Sequence, residues 1–512
     1  MKQIKTIVIV GGGTAGWTAA HALMARTTTD VKVKLIASKE IKTIGVGEGT
    51  TGLFPDIIKF LGQSTNLNED EFLFECDATL KYGLKYTDWA EKGDVFYSPI
   101  GDDFPNEIKY PHADYDYMRM YHVATNQKYE NTFQTNLMKE NKLAFHKDTL
   151  EDFFKNINQP VAYHLDTYKT AEYLKTKAIS NKNRFEYIED TLISVNKDEN
   201  GYVKSIGTKL GKDIEGELFV DCSGFAKVLI EKEFDNKFIP FDGLINNRAL
   251  AFQVPNKENE TIRNYTHAWA QKNGWIWEIP TQTRYGCGYV FSDEITTPET
   301  IEEEIKSIYG DIEIQKDIKF KAGRNEKFWI KNVICSGLSA GFVEPLQATS
   351  IHNSIVLLNH FMENYYHKHM PFECQHLQDQ YNKEMGELWN ATRDLIRVHY
   401  QTKRTDSEYW IEARKEERLS KRLKRNLDVW SVKMPRIVDY VNDKSNNFFH
   451  FGNNLWIQIL MGMQLLEPKL AKQELIDYYL LEHAKQHLDF IKKEVPFKVK
   501  QCVTTNSYYS KI

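Results

Sequence analysis

The stretch Thr6-Ile7-Val8-Ile9-Val10-Gly11-Gly12-Gly13-Thr14-Ala15-Gly16 decides the fold of this chain. Its β-branched run predicts a short buried parallel strand, and the glycines that follow form a Gly-x-Gly-x-x-Gly motif. An alanine-rich segment from Thr14 to about Met24 predicts a helix, and Val31–Ile36 predicts a second strand. This strand–turn–helix–strand order is typical of the Rossmann-type half-domain that binds a dinucleotide.

Each position of the glycine motif has a physical role in that fold. Gly11 permits the tight turn after the strand, Gly13 lets the backbone approach a pyrophosphate, and Gly16 lets the helix pack close to the strand. The N–H groups at Thr14 and Ala15 then face the phosphates at the positive end of the helix dipole. We therefore predict that these five residues bind a dinucleotide.

The acidic residue that usually ends the second strand and binds the adenosine ribose is missing. Ala37 occupies that position. Ser38 and Glu40 are the two nearby alternatives, and the sequence does not choose between them.

Composition and charge exclude several other classes of protein. Hydrophobic residues make up 41% of the 512 residues, charged residues make up 27%, and the net charge is -5. These values indicate a globular protein without the basic surface that binds nucleic acid. No apolar run is long enough to cross a membrane, and no signal peptide is evident, so we expect a cytoplasmic protein. The six scattered cysteines and the histidine spacings predict buried free thiols and no metal site.

The pattern along the chain predicts two modules. Residues 1–360 are expected to form an α/β module with an irregular insertion at about 90–145, and residues 361–512 a mostly helical module. Within the first module, Thr79–Tyr86 alternates apolar and polar residues, which predicts one strand with Lys81 and Lys85 on its polar face.

Several further motifs resemble the flavin-dependent tryptophan halogenase family. They are spread from the glycine motif to about residue 410 and include Gly45-Val46-Gly47-Glu48-Gly49-Thr50, Asp221-Cys222-Ser223-Gly224-Phe225, Gly274-Trp275-Ile276-Trp277-Glu278-Ile279-Pro280 and Glu344-Pro345-Leu346-Gln347-Ala348-Thr349-Ser350. The Trp-x-Trp-x-Ile-Pro and Glu-Pro-Leu motifs are much more specific than the glycine motif. The atypical site residues suit an outlying member of the family, of the kind that a cyanophage encodes.

The resemblance implies an FAD module like that of single-component flavin monooxygenases, joined to a mostly helical substrate module. It adds four residues to the expected FAD contacts, namely Gly45, Glu48, Gly337 and Gly341. It also implies that reduced FAD, O2 and a halide ion form hypohalous acid, which reaches a small aromatic substrate. A separate flavin reductase would supply the reduced FAD, and a homo-oligomer is compatible with the sequence.

Lys81 matches the family's catalytic lysine. The chemistry needs an N–H donor that polarises hypohalous acid, or an amine that takes up the halogen, and burial would favour the neutral amine. Alternation alone would instead favour a solvated lysine. Gln347 departs from the glutamate that is usual here, and it cannot carry a charge or take a proton. We therefore expect bromide or iodide to be favoured over chloride.

Two pairs of residues match the family's halide site and its flavin screen. Thr349 and Ser350 precede an apolar helical run, so their N–H groups would favour an anion there, although ordinary helix capping is the alternative. Trp275 and Trp277 are two residues apart on a predicted strand and share one face. In the family they separate flavin from substrate, and the alternative is core packing.

The substrate clamp departs from the family's His-Pro-Phe-Gly segment. Its nearest counterpart is Ser98-Pro99-Ile100-Gly101, and Trp456 is a candidate for an aromatic wall. We predict an FAD-dependent halogenase. The alternatives are an FAD monooxygenase that hydroxylates directly and a flavin-binding protein that has lost catalysis.

Overall fold

The computed structural model describes residues 2–41, 47–101, 117–127, 131–153, 160–436, 439 and 451–511. The strands, in chain order, are β1 Lys2–Gln3, β2 Thr6–Val10, β3 Lys32–Ala37, β4 Glu48–Gly49, β5 Thr79–Lys81, β6 Gly83–Thr87, β7 Val95–Pro99, β8 Lys142–His146, β9 Ala162–Leu165, β10 Phe185–Glu189, β11 Leu192–Lys197, β12 Val203–Thr208, β13 Asp213–Glu215, β14 Leu218–Asp221, β15 Phe238–Pro240, β16 Arg248–Pro255, β17 Tyr265–Ala270, β18 Gly274–Pro280, β19 Arg284–Phe291, β20 Ile314–Lys319, β21 Gly323–Asn325, β22 Trp329–Ile330, β23 Val333–Cys335, β24 Gly341–Phe342, β25 His369–Met370 and β26 Cys502–Thr504. The helices are α1 Thr14–Arg26, α2 Leu53–Thr65, α3 Glu69–Glu75, α4 Tyr117–Thr125, α5 Phe133–Glu140, α6 Thr167–Ser180, α7 Pro298–Tyr309, α8 Thr349–Asn364, α9 Gln375–Val398, α10 Glu408–Ala413, α11 Lys421–Trp430, α12 Asn453–Gly462, α13 Pro468–Asp477, α14 Leu481–Gln501 and α15 Thr505–Tyr509.

The glycine motif lies at the end of a strand in the middle of a six-stranded sheet. The strand order is β10-β3-β2-β14-β23-β22, and every neighbouring pair except β22 and β23 is parallel. Helix α1 connects β2 to β3, so the predicted βαβ unit is confirmed. Ile7, Val8 and Ile9 are fully buried, as expected for a parallel sheet that is covered on both faces.

A second sheet of seven strands carries the Trp-x-Trp motif. Its order is β20-β16-β19-β18-β17-β6-β7, and only β17 and β6 pair in parallel. Strand β18 lies in the middle, between β17 and β19, and all seven of its residues are buried. The motif is therefore part of the protein core.

Residues 79–86 do not form the single strand that the alternation predicts. Strand β5 pairs with β9 in a small three-stranded sheet, whereas β6 belongs to the seven-stranded sheet. The chain changes sheets at Tyr82, whose N–H donates to the carbonyl of Asn264. Lys81 is 1% exposed, so the solvated lysine that alternation alone favours is wrong. Local alternation cannot reveal that the two halves of a segment pair with different partners.

The insertion at about 90–145 is more regular than expected. Its described part contains β7, α4, α5 and most of β8. Helix α4 packs on α13 and α14, and α5 packs on α14. Short helices of this kind are stabilised mainly by such tertiary packing, which is why their local pattern was weak.

From α8 onward the described residues are mostly helical, as predicted, with the short strands β25 and β26 among them. The boundary predicted at residue 360 falls inside α8, and the division into two modules stays a prediction. All six cysteines are unpaired, and five of them are buried. Across the part of the chain that the structure describes, no helix is both long and apolar enough to span a bilayer.

Candidate functional site

A cavity of 990 Å³ opens beside the glycine motif. Gly11 has φ +122, and a Cβ there would lie 2.1 Å from the carbonyl oxygen of Cys222, so only glycine fits. A Cβ on Gly13 would have no atom within 4 Å, so its backbone faces open space. A Cβ on Gly16 would lie 2.0 Å from the carbonyl oxygen of Gly11, which is the close packing predicted for this position.

Most of the predicted cofactor residues surround this cavity. Gly16 and Gly341 do not line it; Gly341, in β24, pairs with Arg324 of β21. Gly45 lies outside the described residues. The predicted residues that line the cavity are Gly11, Gly13, Thr14, Ala15, Ser38, Glu48 and Gly337.

The cavity fits a dinucleotide such as FAD. Its lining includes the last residues of β3 and β10 as well as Glu48 and Ser350. Its volume is at the upper end of the range for cofactor pockets. Burial raises the pKa of the Glu48 carboxyl to about 7, because a charged carboxylate is disfavoured away from water.

Of the two alternatives to the missing ribose acid, only Ser38 is in the lining. Its hydroxyl accepts hydrogen bonds from Thr191 Oγ1 at 2.7 Å and from the Glu40 N–H at 3.1 Å. The Glu40 carboxylate instead forms an exposed ion pair with Lys209 at 2.8 Å. Glu40 is therefore directed to the surface, away from the cavity.

Lys81 lies beside Gly49 of β4, the strand whose other residue, Glu48, lines the cavity. Its amine donates a hydrogen bond to the carbonyl of Thr50 at 3.0 Å. Burial lowers the pKa of Lys81 to about 7, because the ammonium form is poorly solvated there. A Cβ on Gly49 would lie 3.0 Å from Lys81 Nζ and 3.6 Å from Ala348 Cβ, so the missing side chain makes room for the amine.

A chain of buried polar groups, which sequence reasoning missed, leads towards Lys81. Thr79 Oγ1 donates to the carbonyl of Pro280 at 2.8 Å and lies 3.1 Å from His164 Nδ1. His164 Nε2 is 2.9 Å from Thr266 Oγ1, and that oxygen borders the space beside Gly49. Because the Thr79 hydrogen is used by Pro280, His164 Nδ1 donates and Nε2 accepts. Burial keeps the pKa of His164 well below its usual value.

Gln347 is held by groups other than Lys81. Its amide nitrogen donates to the Tyr86 hydroxyl at 2.6 Å and to His399 Nε2 at 3.0 Å. The other ring nitrogen of His399, Nδ1, lies 2.8 Å from the carbonyl of Leu395 and must donate to it. Burial lowers the pKa of His399 to about 4, so Nε2 is an acceptor that matches an amide N–H.

Helix α8 begins at the predicted halide residues. Ala348 caps it with φ 54, and the first turn carries no acidic residue. The Thr349 hydroxyl is buried and has no hydrogen-bond partner among the described residues. Ser350 lines the cavity. Free N–H groups and an unused hydroxyl at a helix N-terminus suit an anion.

The two tryptophans of β18 lie on one face, as predicted, with ring centroids 6.3 Å apart. The Trp275 indole N–H donates to the Glu344 carboxylate at 2.8 Å, and Tyr400 and Asn246 donate to the same oxygen. Burial raises the pKa of Glu344. Glu344 is a buried anchor that sequence reasoning missed, although it opens the Glu-Pro-Leu motif. Neither indole is among the residues that line the cavity, so the predicted screen stays a prediction.

A backbone hydrogen bond joins the predicted substrate clamp to the residue that follows Lys81. The Ile100 N–H donates to the carbonyl of Tyr82, the residue after Lys81. Ser98 and Pro99 are buried, and the Ser98 hydroxyl donates to Gln458 of α12 at 2.7 Å. Trp456, on the same helix, packs on Trp430 with centroids 5.7 Å apart. Roles for these residues in substrate binding stay predictions.

No group of three or more His, Cys, Asp or Glu side chains in the described ranges is arranged to hold a metal ion. His367 and His369 lie in this part of the chain.

Comparison with known proteins assigns the family. The sequence model of tryptophan halogenases matches residues 6–475. The chain is 32% identical over 509 residues to the tryptophan 7-halogenase RebH of Lentzea aerocolonigenes, with 92% of each chain covered. It is 30% identical over 480 residues to the tryptophan 6-halogenase ThaL of Streptomyces albogriseolus, covering 89% of this chain and 87% of that one.

Solved structures agree with this assignment. Tar14, a tryptophan C-6 flavin-dependent halogenase from taromycin biosynthesis, superposes with a TM-score of 0.86 at 28% identity, covering 99% of both chains. BrvH, a flavin-dependent halogenase from Brevundimonas, superposes with a TM-score of 0.84 at 25% identity over the full length of both chains. The cavity at the glycine motif, the buried lysine and these relatives lead to one conclusion: this chain belongs to the tryptophan halogenase family of flavin-dependent enzymes.

Proposed function

We propose that this enzyme halogenates an electron-rich aromatic compound and that Lys81 directs the halogen to it. The observation that carries the proposal is the Lys81 amine, which is buried, bonded to a carbonyl and free of any described carboxylate partner. Burial lowers the pKa of this lysine to about 7, so both forms of the amine are present near neutral pH. The protonated form polarises hypohalous acid as an N–H donor, and the neutral form can take up the halogen.

FAD is the cofactor that the cavity would hold, through Gly11, Gly13, Thr14, Ala15 and Gly337. Bound in its reduced form, it supplies with O2 the oxidant that converts halide into hypohalous acid. A separate flavin reductase would provide the reduced FAD.

The start of α8 is the proposed halide site. The unused Thr349 hydroxyl and the N–H groups of the first turn would hold the anion, and the neighbouring Ser350 reaches the cavity wall. Trp275 and Trp277 would separate the flavin from the substrate, with Glu344 anchoring Trp275. Ser98, Pro99, Ile100 and Trp456 are proposed for the substrate side.

The test is mass spectrometry of products. Purified enzyme receives FAD, a flavin reductase, NADH and O2, with chloride, bromide or iodide, and a panel of indoles, phenols and pyrroles. Lys81→Ala and Lys85→Ala are compared with wild type, because Lys85 is the nearby lysine on β6. Halogenated product that is lost only in Lys81→Ala supports the proposal. Product that persists in Lys81→Ala would mean that hypohalous acid reacts free in solution.

Two other results would favour other functions. Hydroxylated product that forms without halide would indicate a monooxygenase. No product with any halide or substrate would favour a flavin-binding protein without catalysis.

Gln347 underlies the proposed halide preference. Its amide donates to Tyr86 and His399 and offers no carboxylate to assist Lys81. A general acid or base contributes typically ~10²–10⁴-fold to a rate, so bromide and iodide, whose hypohalous acids need less activation, are expected to react faster. A strong preference for chloride on the same substrate would refute this proposal.

A further inference from the structure

Strand β3 ends at the cavity without the acid that usually binds the adenosine ribose. Ala37 is the last residue of β3, where a carboxylate would usually bind the adenosine ribose. The Ala37 Cβ faces the glycine loop, because a Cβ on Gly12 would lie 2.5 Å from it. The position is therefore the expected one, but its side chain has no polar group.

The neighbouring parallel strand carries a carboxylate at the same level. Strand β10 pairs with β3, and Glu189 is in register with Ala37. Residues in register on parallel strands point to the same face, and the two strands are only ~4.8 Å apart. Glu189 lines the cavity, as Ala37 does. A glutamate side chain is long enough to reach across this spacing toward the place where an acid on Ala37 would act.

Asp190 and Glu172 also line the cavity, but neither is in register with Ala37. Asp190 accepts hydrogen bonds from the backbone N–H groups of Thr191 and Leu210, at 2.7 and 3.3 Å. Glu172 forms an ion pair with Lys175 at 3.5 Å. Glu189 is 36% exposed, and its described ion-pair partner is Lys39, at 2.6 Å from Oε1. An ion pair through one oxygen leaves the second oxygen to accept from a hydroxyl.

The geometry points to Glu189 as the residue that binds the ribose hydroxyls of the adenosine half of FAD, in place of the acid missing at Ala37. Ser38 completes the site. Its oxygen already accepts from Thr191 and from the Glu40 N–H, so its own hydrogen is available for donation. This inference rests on the proposed FAD function and adds which residue recognises the ribose.

The test measures dissociation constants of oxidised FAD and of FMN by fluorescence titration of the purified protein. FMN lacks the adenosine half, so it reports on the remainder of the site. A hydrogen bond to a charged group has an energy equivalent to roughly 10- to 100-fold in a dissociation constant. We expect Glu189→Ala to weaken FAD by at least about 10-fold, within the range for such a bond, and to leave FMN within about twofold of wild type.

A control variant and a rescue variant separate this role from general electrostatics. Glu186→Ala removes an acid of the same strand that pairs with Lys34 at 3.7 Å and does not line the cavity. This control is not expected to weaken FAD. Ala37→Glu introduced into Glu189→Ala should restore FAD affinity by returning the acid to β3.

The titrations distinguish a failure of the Glu189 inference from a failure of the proposed FAD-dependent function. Unchanged FAD affinity in Glu189→Ala, or an equal loss for FMN, would overturn the inference but not the proposed FAD-dependent function. Failure of the wild-type protein to bind FAD at all would instead overturn the proposed function on which the inference depends.

Discussion

Replacing Gln347 by glutamate tests the buried hydrogen bonds around it. Gln347 donates to His399 Nε2, whose other nitrogen is committed as a donor to Leu395. A carboxylate at this position would face the lone pair of a neutral histidine. The conflict is relieved only if the folded protein takes up one proton, on the histidine or on the introduced carboxyl.

Burial lowers the pKa of His399 to about 4, so this histidine is neutral in the folded wild type at neutral pH. Above about pH 6.5 the unfolded chain has released the proton that the folded variant must hold. The free energy of unfolding of the variant, relative to wild type, therefore falls as pH rises, by about 1.4 kcal/mol per pH unit. Between about pH 6.5 and pH 8 the relative loss should grow by roughly 2 kcal/mol.

Urea unfolding of wild type, Gln347→Glu and Gln347→Met at these two pH values, followed by tryptophan fluorescence, measures this difference. Gln347→Met removes the same hydrogen bonds without adding a titratable group, so its loss of stability should not depend on pH. If Gln347→Glu shows the same loss at both pH values, the assignment of His399 as a neutral acceptor is wrong.

Other predictions concern the residues proposed for catalysis, for halide binding and for the flavin screen. Because burial lowers the pKa of Lys81 to about 7, the fraction of neutral amine increases as pH rises through 7. If the neutral amine takes up the halogen, a pH profile should show product formation rising over the same range. Lys81→Arg should abolish product formation. Product formation that instead falls as pH rises through 7 would favour the N–H donor role, because the protonated amine is lost over that range. Thr349→Val removes the buried hydroxyl that lacks a partner, so the KM for halide should rise by ~10-fold, as expected for one lost hydrogen bond, with no loss of thermal stability; an unchanged KM in a halide titration would contradict the halide site. Trp275→Phe leaves Glu344 without its indole donor and should lower the free energy of unfolding by about 1–3 kcal/mol, measured by urea unfolding. Trp277→Phe removes an indole N–H that has no described partner, so it should lower the free energy of unfolding by less.

Local sequence was enough to predict the strand, glycine turn and helix beside the cavity. The strand, the glycine turn and the start of α1 are contiguous, and their constraints are steric, so a Cβ on Gly11 or Gly16 would collide with backbone. The start of α8 at Thr349, next to the proposed halide residues, was also predictable, because an apolar run at helical spacing follows it. In these segments the residues that define the structure are neighbours in the chain.

The surroundings of Lys81 could not be predicted in this way. Alternation suggested one strand over 79–86, yet the chain changes sheets at Tyr82 and buries Lys81. His164 and Thr266 reach this region from strands far away in sequence. A partner that is distant in the chain leaves no periodic signal near the residue it contacts.

The sequence by itself determined the dinucleotide fold, the position of the glycine loop and the identity of the candidate lysine, because these depend on short-range sterics and on specific motifs. Tertiary structure alone decided that Gln347 bonds to His399 and that Glu189 stands beside Ala37. It also decided that Lys81 is removed from water. The physical reason is that burial and hydrogen-bond partners depend on contacts between strands and helices that are distant in the sequence. These contacts change the pKa values and the hydrogen bonding of side chains whose identities the sequence had already specified.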